Sequence, residues 1–501
     1  MVNEENISKR EAQMHNIQAA IRITGAVKST LGPEGADKML TDDLGNVVVT
    51  NDGATILREV DVSHPAAKMI IQAAYAQEQE CFDGTTTTVV LTGALLEQAI
   101  DLLRKGVHPN QISRRYQEYG NMSIDFITGL GEEGTYNSPD ALGDIGNLIR
   151  TTLAGKSLEP HAEHIAKLCQ IAMKDAEDRG DIRIHSRPGD IGDSSVSNGI
   201  LLNKEYVIPT EHGEAMMLLT GLDEKQHNEN LTLQITAQEY KQLANTDELT
   251  ARAKSIVEKM PDGGVILARD HVADHIAVYL AKRSIAVIRR VSESDMLTIA
   301  RMFHTRMASS PDDADIIDVA SFCSERINDL DYIYVESKIE SQPVSTIILR
   351  GATPSTVDEM ERGLEDALGV AWLFFNGDSK KIIKGGGFPH ANAASYLASL
   401  KDWSALDYQV AVAYADALRQ IPFTIAENAG GDPLVFHNAL AMIDFNEASQ
   451  GVIVANGDPS IGVPEHYEPL NLVLSSIRKA TEVAVAILRI DDIIGRKPAD
   501  A

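Results

Sequence analysis

Apolar positions follow different periods in different parts of the chain. In the first third of the chain, apolar residues recur at helical spacing. The middle contains short continuous apolar runs beside one helical pattern, and the last third again has the pattern of long alanine-rich helices. Helical recurrence is typical of a helix packed on one face, whereas short continuous runs indicate buried strands. The pattern predicts mainly helical chain ends with an α/β insert between them.

The first third predicts three helices and a hairpin. One helix covers about residues 12–30, and KMLTDDLGNVVVTNDG predicts a hairpin with a polar turn at 42–46. After the turn NDG, the sequence SHP at 63–65 predicts a helix start, because a proline follows an N-cap candidate. CFDG ends that helix, and the next helix runs from the threonines of CFDGTTTTVVL to Lys105.

The middle predicts an α/β domain. GGVILA, DHVADHIAVYLAKRS and IAVIRRV predict strand, helix and strand, which together form a βαβ unit. Before this unit, residues 223–250 are polar and weakly patterned and predict an exposed protrusion. STIILRG at 345–351 predicts another buried strand, which leads into a helix from Thr353. The predicted inward side chains of that helix are Val357, Met360, Leu364 and Leu368.

Composition narrows the class of protein. A chain of 501 residues predicts more than one domain, and its net charge of −28 argues against nucleic acid or an anionic membrane as partner. The three cysteines form no Cys-x-x-Cys pair, so we expect reduced thiols and neither a disulfide framework nor a zinc ribbon. The polar N-terminus does not resemble a signal peptide, and no apolar run approaches the ~20 residues of a membrane span. The expected protein is soluble and cytoplasmic.

Glycine-rich turns at helix starts are the strongest chemical signal. TLGPEG, NDG, FDGTTTT and KGGG all allow close approach of a ligand to the backbone, and N–H groups at a helix start attract anions. Threonine hydroxyls can donate to phosphate oxygens, while the carboxylate of Asp83 can hold a divalent cation. FDGTTTT therefore favours a phosphate and Mg²⁺ site. The alternative from the local pattern is that Asp83 and Thr85 only cap the helix.

Other local patterns are weaker. Gly155-Lys156-Ser157 lacks the leading glycine of a P-loop, so a Walker-type site is rejected. In HVADH, His271 and His275 at helical spacing could share a metal, although both flank the predicted buried stripe. Periodicity places Asp366 on a polar helix face and predicts a solvated surface carboxylate.

The ordered set of segments resembles the group II chaperonins, the archaeal thermosome family related to the eukaryotic cytosolic chaperonin. The resemblance is carried by NIQAA, STLGPEGADKML, VVVTNDGATILREVDVSHPAAKMI, FDGTTTTVVLTGALLEQA, KGGG, IPFTIAENAGGDPL and YEPL followed by ATEVAVAILRIDDII. It covers both chain ends nearly continuously and the middle more loosely. The sequence looks like a divergent archaeal-type subunit.

The resemblance implies a multi-domain α+β subunit of a double ring that folds other proteins with ATP. It implies a mainly helical equatorial ATP-binding domain at 1–130 and 388–501, and a small intermediate hinge domain at 131–197 and 351–387. The implied α/β apical domain covers 198–350, with a helical protrusion at about 223–250 serving as a built-in lid. The implied partners are unfolded or partly folded proteins and other chaperonin subunits, with neither nucleic acid nor membrane.

The resemblance also assigns a role to each matching residue. It implies that Asp83 holds Mg²⁺, that Asp52 lies near the attacking water, and that Asp366 orients this water from a mobile helix. The implied ATP-binding residues are Thr30, Leu31, Gly32, Pro33, Gly84, Thr85, Thr86, Thr87, Lys156, Gly386 and Glu468. Among these, Lys156 would sense the γ-phosphate and Glu468 would reach the ribose.

Three positions depart from the family pattern. Phe82 stands where glycine is usual, Glu34 stands where lysine is usual, and GGGFPH replaces a pattern with an acidic residue after the glycines. The chain is also shorter than usual around 130–200. These departures leave open a divergent ring subunit with weak or no ATP turnover that acts as a structural or binding component. A metal-dependent enzyme that uses HVADH is a further alternative.

Overall fold

The computed structural model describes residues 9–41, 47–134, 143–208, 215–222, 249–317, 320–327, 330–338, 343–376, 380–400, 404–444 and 450–490. The chain divides into two compact units, unit 1 from Met1–Lys167 with Pro354–Ala501 and unit 2 from Leu168–Thr353. The predicted three-domain boundaries stay a prediction. The predicted turn at 42–46 and nearly all of the predicted lid lie outside the described residues.

Helices and strands are numbered in chain order. The helices are α1 (Lys9–Lys28), α2 (Gly53–Glu59), α3 (Pro65–Cys81), α4 (Thr85–Arg104), α5 (Pro109–Leu130), α6 (Gly143–Leu153), α7 (Ala162–Met173), α8 (249–259), α9 (Asp274–Ala281), α10 (Glu293–Met302), α11 (Pro354–Asn376), α12 (Phe388–Ser399), α13 (Ala405–Asn428), α14 (Pro433–Ala441) and α15 (Leu470–Leu488). The strands are β1 (Lys38–Thr41), β2 (Val47–Thr50), β3 (Glu132–Glu133), β4 (Ile182–Pro188), β5 (Ser195–Ser197), β6 (Gly199–Leu202), β7 (Met216–Leu219), β8 (Val265–Ala268), β9 (Ala286–Ile288), β10 (Ala320–Ile327), β11 (Leu330–Ser337), β12 (Ser345–Gly351), β13 (Lys381–Lys384), β14 (Gly451–Ala455), β15 (Asp458–Gly462) and β16 (Tyr467–Pro469). The mixture of helices and strands agrees with the predicted α+β class.

Helix α4 forms the centre of unit 1. It contacts α1, α3, α13 and α15, and Leu91, Leu95 and Leu96 on it are fully buried. Among the described helices, α4 is the one whose length and composition would also suit a membrane span, so the expectation that no run approaches that length was wrong. Its residues are mostly buried against the neighbouring helices. An apolar helix of this kind is therefore accounted for by the core of unit 1.

The helix starts in unit 1 correct one prediction and confirm another. NDG is not only a turn, because Asp52 caps α2 and its carboxylate accepts hydrogen bonds from the N–H groups of Ala54 and Thr55. The predicted start at 63–65 is confirmed, and His64 is the N-cap, with its Nδ1 accepting from the N–H of Ala66. An imidazole nitrogen can replace the usual hydroxyl or carboxylate acceptor in this position.

The hairpin of unit 1 is confirmed. Strands β1 and β2 pair antiparallel, with Met39 opposite Val49. Met39, Val47 and Val49 are exposed large apolar side chains on this two-stranded sheet.

Unit 2 has an α/β core. Strands β7, β8 and β9 form a parallel sheet, which confirms the predicted βαβ unit of β8, α9 and β9. Alternate residues of β8 serve two apolar clusters, since Val265 and Leu267 join one while Ile266 and Ala268 join the other. A sheet covered by apolar residues on both faces is typical of parallel strands. Two further sheets have the orders β10-β11-β6 and β4-β12-β5.

Two helical glycines of unit 1 give a matched test of packing. A Cβ at Gly93 of α4 would lie 2.5 Å from Oγ1 and 2.8 Å from Cβ of Thr24 on α1, whereas a Cβ at Gly25 of α1 would meet nothing within 4 Å. We expect Gly93→Ala to lower the free energy of unfolding by about 1–3 kcal/mol, because α1 and α4 must separate. Gly25→Ala should raise it by about 0.5–1 kcal/mol through helix propensity.

Urea unfolding followed by circular dichroism measures both glycine variants. Equal stabilisation by the two substitutions would show that α1 and α4 do not approach as closely as described.

Candidate functional site

Unit 1 contains a cavity of about 350 Å³. Its lining comes from residues at 30–33, 51–53, 83–87, 151–159, 386–390, 421–425, 452–454 and 466–472. These segments belong to both ends of the chain, and the packing of unit 1 brings them together.

The threonine loop, defined as residues 82–87, forms one wall. Gly84 is the N-cap of α4, and its N–H donates to Oδ1 of Asp83 at 2.7 Å. Asp83 is therefore not the N-cap of α4, contrary to the capping alternative. Thr86 and Thr87 line the cavity in the first turn of α4, where the N–H groups carry partial positive charge. The wall combines hydroxyl groups and helix N–H groups that can donate to phosphate oxygens.

The turn at 30–33 forms a second wall beside the threonine loop. The hydroxyl of Thr30 donates to the carbonyl of Val27, and Nδ2 of Asn428 on α13 donates to the carbonyl of Leu31 at 2.8 Å. Gly32 has a φ of 93° and also lines the cavity. Contacts from the C-terminal part of the chain thus fix the backbone of this turn.

Lys156 lies where three carboxylates converge. Its Nζ lies 2.6 Å from Oδ2 of Asp366 on α11, and both side chains are mostly buried. Burial lowers the pKa of Lys156, but Asp366, Asp83 and Asp52 outweigh burial and hold this pKa above its ordinary value. The lysine therefore stays charged and compensates part of the surrounding negative charge.

The carboxyl group of Asp366 is mostly buried and binds a proton more readily than a surface carboxylate does. Burial raises the pKa of Asp366 to about 7, with Asp52 and Asp83 raising it and Lys156 opposing them. The expectation from periodicity that Asp366 is a solvated surface group was wrong. On the same helix Glu359 is also mostly buried, pairs with Arg362 and accepts a hydrogen bond from the hydroxyl of Thr50, so it is not a solvated surface group either.

The glycine run and the YEP strand form the far end of the cavity. Gly386 has a φ of 64°, and a Cβ there would lie 2.1 Å from the carbonyl oxygen of Val452. Glu468 lies on β16, which pairs with β13 ahead of the glycines. Burial raises the pKa of Glu468 to about 7, and Asp83 adds to the effect. A glycine is thus required at Gly386, and Glu468 lies in a poorly hydrated position.

The oxygen groups of the cavity fit part of a Mg²⁺ site. No group of three or more histidine, cysteine or acidic side chains that could hold a metal occurs within the described ranges. Mg²⁺ commonly binds through one or two carboxylates and completes its shell with water and phosphate oxygens. Asp83, with an excess of negative charge around it, suits such a site.

The structure gathers the residues that the sequence singled out. Every predicted ATP-binding residue lines the cavity, together with Asp52 and Asp83. Asp366 does not belong to the described lining and reaches the site through its ion pair with Lys156. Their individual roles stay predictions.

Among the residues that the structure describes, HVADH does not form a metal site. Helix α9 begins at Asp274, so His271 precedes it and the two histidines of HVADH do not share one helical face. Asp274 instead pairs with Arg289 at 2.7 Å. Glu34 is exposed and lies outside the described lining of the cavity, with its Oε1 3.7 Å from the Cβ position of Gly457.

Sequence reasoning missed His390 and an apolar part of the lining. His390 is 3% exposed, and neither ring nitrogen has a hydrogen-bond partner among the described residues. GGGFPH was the only signal, through the departure from an acidic residue. Ile421, Ile425 and Leu472 also line the cavity, and nothing distinguishes them in the sequence from ordinary inward residues of α13 and α15.

Comparison with known proteins shows which protein family the chain matches. The model of the TCP-1/cpn60 chaperonin family matches residues 23–498. A thermosome subunit of Methanopyrus kandleri is 35% identical over 97% of this chain and 92% of its own length. Thermosome subunit alpha of Archaeoglobus fulgidus is 35% identical with the same coverage, and a thermosome subunit of Pyrococcus horikoshii is 34% identical over 97% of this chain and 91% of its own.

The buried His390 generates a pH prediction. Burial lowers the pKa of His390 from 6.5 to about 4. The unfolded chain binds a proton near pH 6.5 and the folded chain does not until about pH 4, so this residue makes stability fall as pH drops between these values. The loss should total about 3 kcal/mol, and His390→Gln should remove it.

Urea unfolding at several pH values measures the difference between His390→Gln and wild type, which cancels the opposite contributions of Asp366 and Glu468. His437→Gln, at an exposed position of α14, is the matched control for replacing a histidine with glutamine. An identical pH slope in wild type and His390→Gln would contradict the buried neutral histidine.

Proposed function

The chain belongs to the TCP-1/cpn60 chaperonin family, and from this premise we propose that it is an ATP-hydrolysing chaperonin subunit. It binds unfolded or partly folded proteins and assists their folding inside a cytoplasmic double ring of such subunits. The observation that carries the proposal is the cavity in unit 1, where glycine turns, threonine hydroxyls and carboxylates from both chain ends meet.

The cavity would bind the triphosphate of ATP along the threonine loop and the turn at 30–33. Backbone N–H groups at the start of α4 and the hydroxyls of Thr86 and Thr87 are the proposed donors to phosphate oxygens. Glu468 is proposed to accept a hydrogen bond from the ribose. Asp83 would hold Mg²⁺, which neutralises phosphate charge and polarises the transferred phosphoryl group when bound.

Hydrolysis would depend on two further carboxylates. We assign Asp52 and Asp366 to the orientation of the attacking water, since both influence the pKa of Lys156 and therefore lie around the same point. Lys156 would turn from Asp366 to the γ-phosphate, which frees the Asp366 carboxylate to accept a hydrogen bond from water. Catalysis of this kind works by positioning and charge neutralisation rather than by a covalent intermediate.

Unit 2 is proposed to contact client proteins. Val278 on α9 and Leu297 on α10 are exposed apolar side chains of this unit. Unfolded proteins expose apolar side chains, which could contact these two residues. The proposed apical domain covers 198–350, and the proposed lid lies in its protrusion.

The role of Asp366 gives the sharpest test. Asp366→Asn keeps the size of the side chain and removes the carboxylate that would orient water. We expect the rate of ATP hydrolysis to fall by roughly 100-fold or more, with the ATP dissociation constant changed by no more than about twofold. Steady-state hydrolysis and calorimetric ATP binding measure the two effects.

Asp358→Asn, at an exposed carboxylate of the same helix, is the control for Asp366→Asn and should hydrolyse ATP at the wild-type rate. An unchanged rate in Asp366→Asn would reject the assigned role. ATP binding without hydrolysis by the wild-type chain, in rings visible by electron microscopy, would favour the structural ring subunit instead.

A further inference from the structure

Phe82 occupies a backbone position that favours glycine. It follows the last residue of α3, has φ 62° and ψ −5°, and donates its N–H to the carbonyl of Glu78. A left-handed conformation costs a residue with a Cβ about 1–2 kcal/mol, and glycine usually fills it at the end of a helix. The strain indicates that the ring has a use that glycine could not supply.

The ring of Phe82 packs against bare backbone on α11. A Cβ at Gly369 would lie 2.1 Å from Cγ and 2.4 Å from Cβ of Phe82, distances that real atoms do not reach. Gly369 lies inside the 23-residue helix α11, where glycine costs about 0.5–1 kcal/mol relative to alanine. Two residues that are each unfavourable for their own backbone thus touch and fit each other.

The contact between Phe82 and Gly369 joins the threonine loop, which carries Asp83, to helix α11, which carries Asp366. Phe82 directly precedes Asp83, and Gly369 follows Asp366 by three residues, which places both on one face of α11. Asp83 and Asp366 both raise the pKa of Lys156, so both carboxylates lie around this lysine. A shift of α11 past the threonine loop would carry Asp366 away from Asp83 and would require the ring to leave Gly369.

We propose that Phe82 is a positioning residue whose ring, seated against Gly369, holds α11 so that the Asp366 carboxylate lies close to the threonine loop at the proposed phosphate end of the cavity. The catalytic part of this inference rests on the proposed ATP hydrolysis. The positional part concerns the protein without nucleotide. Misplacement of a reacting group by about 1 Å can reduce a rate by about 100-fold, so such a contact can control turnover without touching ATP.

The first measurement uses no nucleotide. Carbodiimide-driven amidation of carboxyl groups, read by mass spectrometry, reports how accessible Asp366 is, and the exposed Asp358 serves as the internal reference. Phe82→Ala keeps a Cβ in the left-handed conformation and removes the ring, whereas Phe82→Gly removes both ring and strain. We expect both variants to increase Asp366 labelling by about threefold or more, because a loosened α11 exposes the carboxylate.

A double-mutant cycle tests the contact itself. Gly369→Ala should increase Asp366 labelling strongly when Phe82 is present, because the added methyl displaces the ring, and weakly in the Phe82→Gly background. Gly363→Ala is the matched control on the same helix, since a Cβ there would lie 3.5 Å from its nearest neighbour, an ordinary contact. It should leave labelling unchanged.

The second measurement separates positioning from binding. Phe82→Ala and Phe82→Gly should lower kcat for ATP hydrolysis by about tenfold or more and change KM by no more than about twofold. Phe82→Leu, which still fills part of the space at Gly369, should recover part of kcat. A merely structural role would not produce the split between kcat and KM.

Each outcome decides one proposal. Unchanged labelling of Asp366 in Phe82→Gly, or equal effects of Gly369→Ala and Gly363→Ala, would overturn the positioning role. Increased labelling with unchanged kcat would confine Phe82 to the nucleotide-free protein and overturn its part in hydrolysis. A wild-type chain without ATP hydrolysis would overturn the proposed function, and the labelling cycle would still decide whether Phe82 positions Asp366.

Discussion

The burial of α4 is the constraint on which the rest of unit 1 depends. An apolar helix of 20 residues needs cover on nearly all sides, and the chain provides it with α1 and α3 from one end and α13 and α15 from the other. Hydrogen bonds also connect the two chain ends, since Nε2 of Gln13 donates to the carbonyl oxygen of Leu488. Nε2 of Gln77 donates to the carbonyl oxygens of Asp83 and Leu472. The threonine loop therefore meets segments almost 400 residues away as a consequence of covering one helix.

Charge balance explains why the cavity suits an anion only together with a cation. Lys156 is the only lysine or arginine among its described lining residues, which also include Asp52, Asp83 and Glu468. A triphosphate would add further negative charge to this group. The raised pKa values of Asp366 and Glu468 show that burial already opposes ionisation here. A divalent cation offsets this excess, which gives a physical reason to expect Mg²⁺ with the nucleotide.

Local pattern was sufficient wherever one segment decides its own structure. The hairpin, the βαβ unit and the helix from the threonines follow from period and turn chemistry alone. Asp52 was harder, because an Asn-Asp-Gly turn and a capped helix start share the same residues. Asp366 could not be placed from its own helix, since its partner Lys156 lies 210 residues earlier and only tertiary packing unites them. The burial of His390 could not be predicted, because a buried histidine and an exposed one look alike in sequence and only the departure GGGFPH marked this position.

Because unit 1 is built from both chain ends, its helices are synthesised at widely separated times. Helix α4 is complete once Arg104 has been made, but α15, which covers part of it, is complete only at Leu488. At about 5–20 residues per second, a ribosome needs about 20–80 s to make the segment between them. Until α13 is made, the described neighbours already present include α1, α2 and α3, and a helix apolar enough for a membrane is only partly covered. Unit 2, by contrast, is fully synthesised before the last helices of unit 1. The inserted unit 2 can therefore fold before unit 1, although the synthesis of unit 1 began earlier.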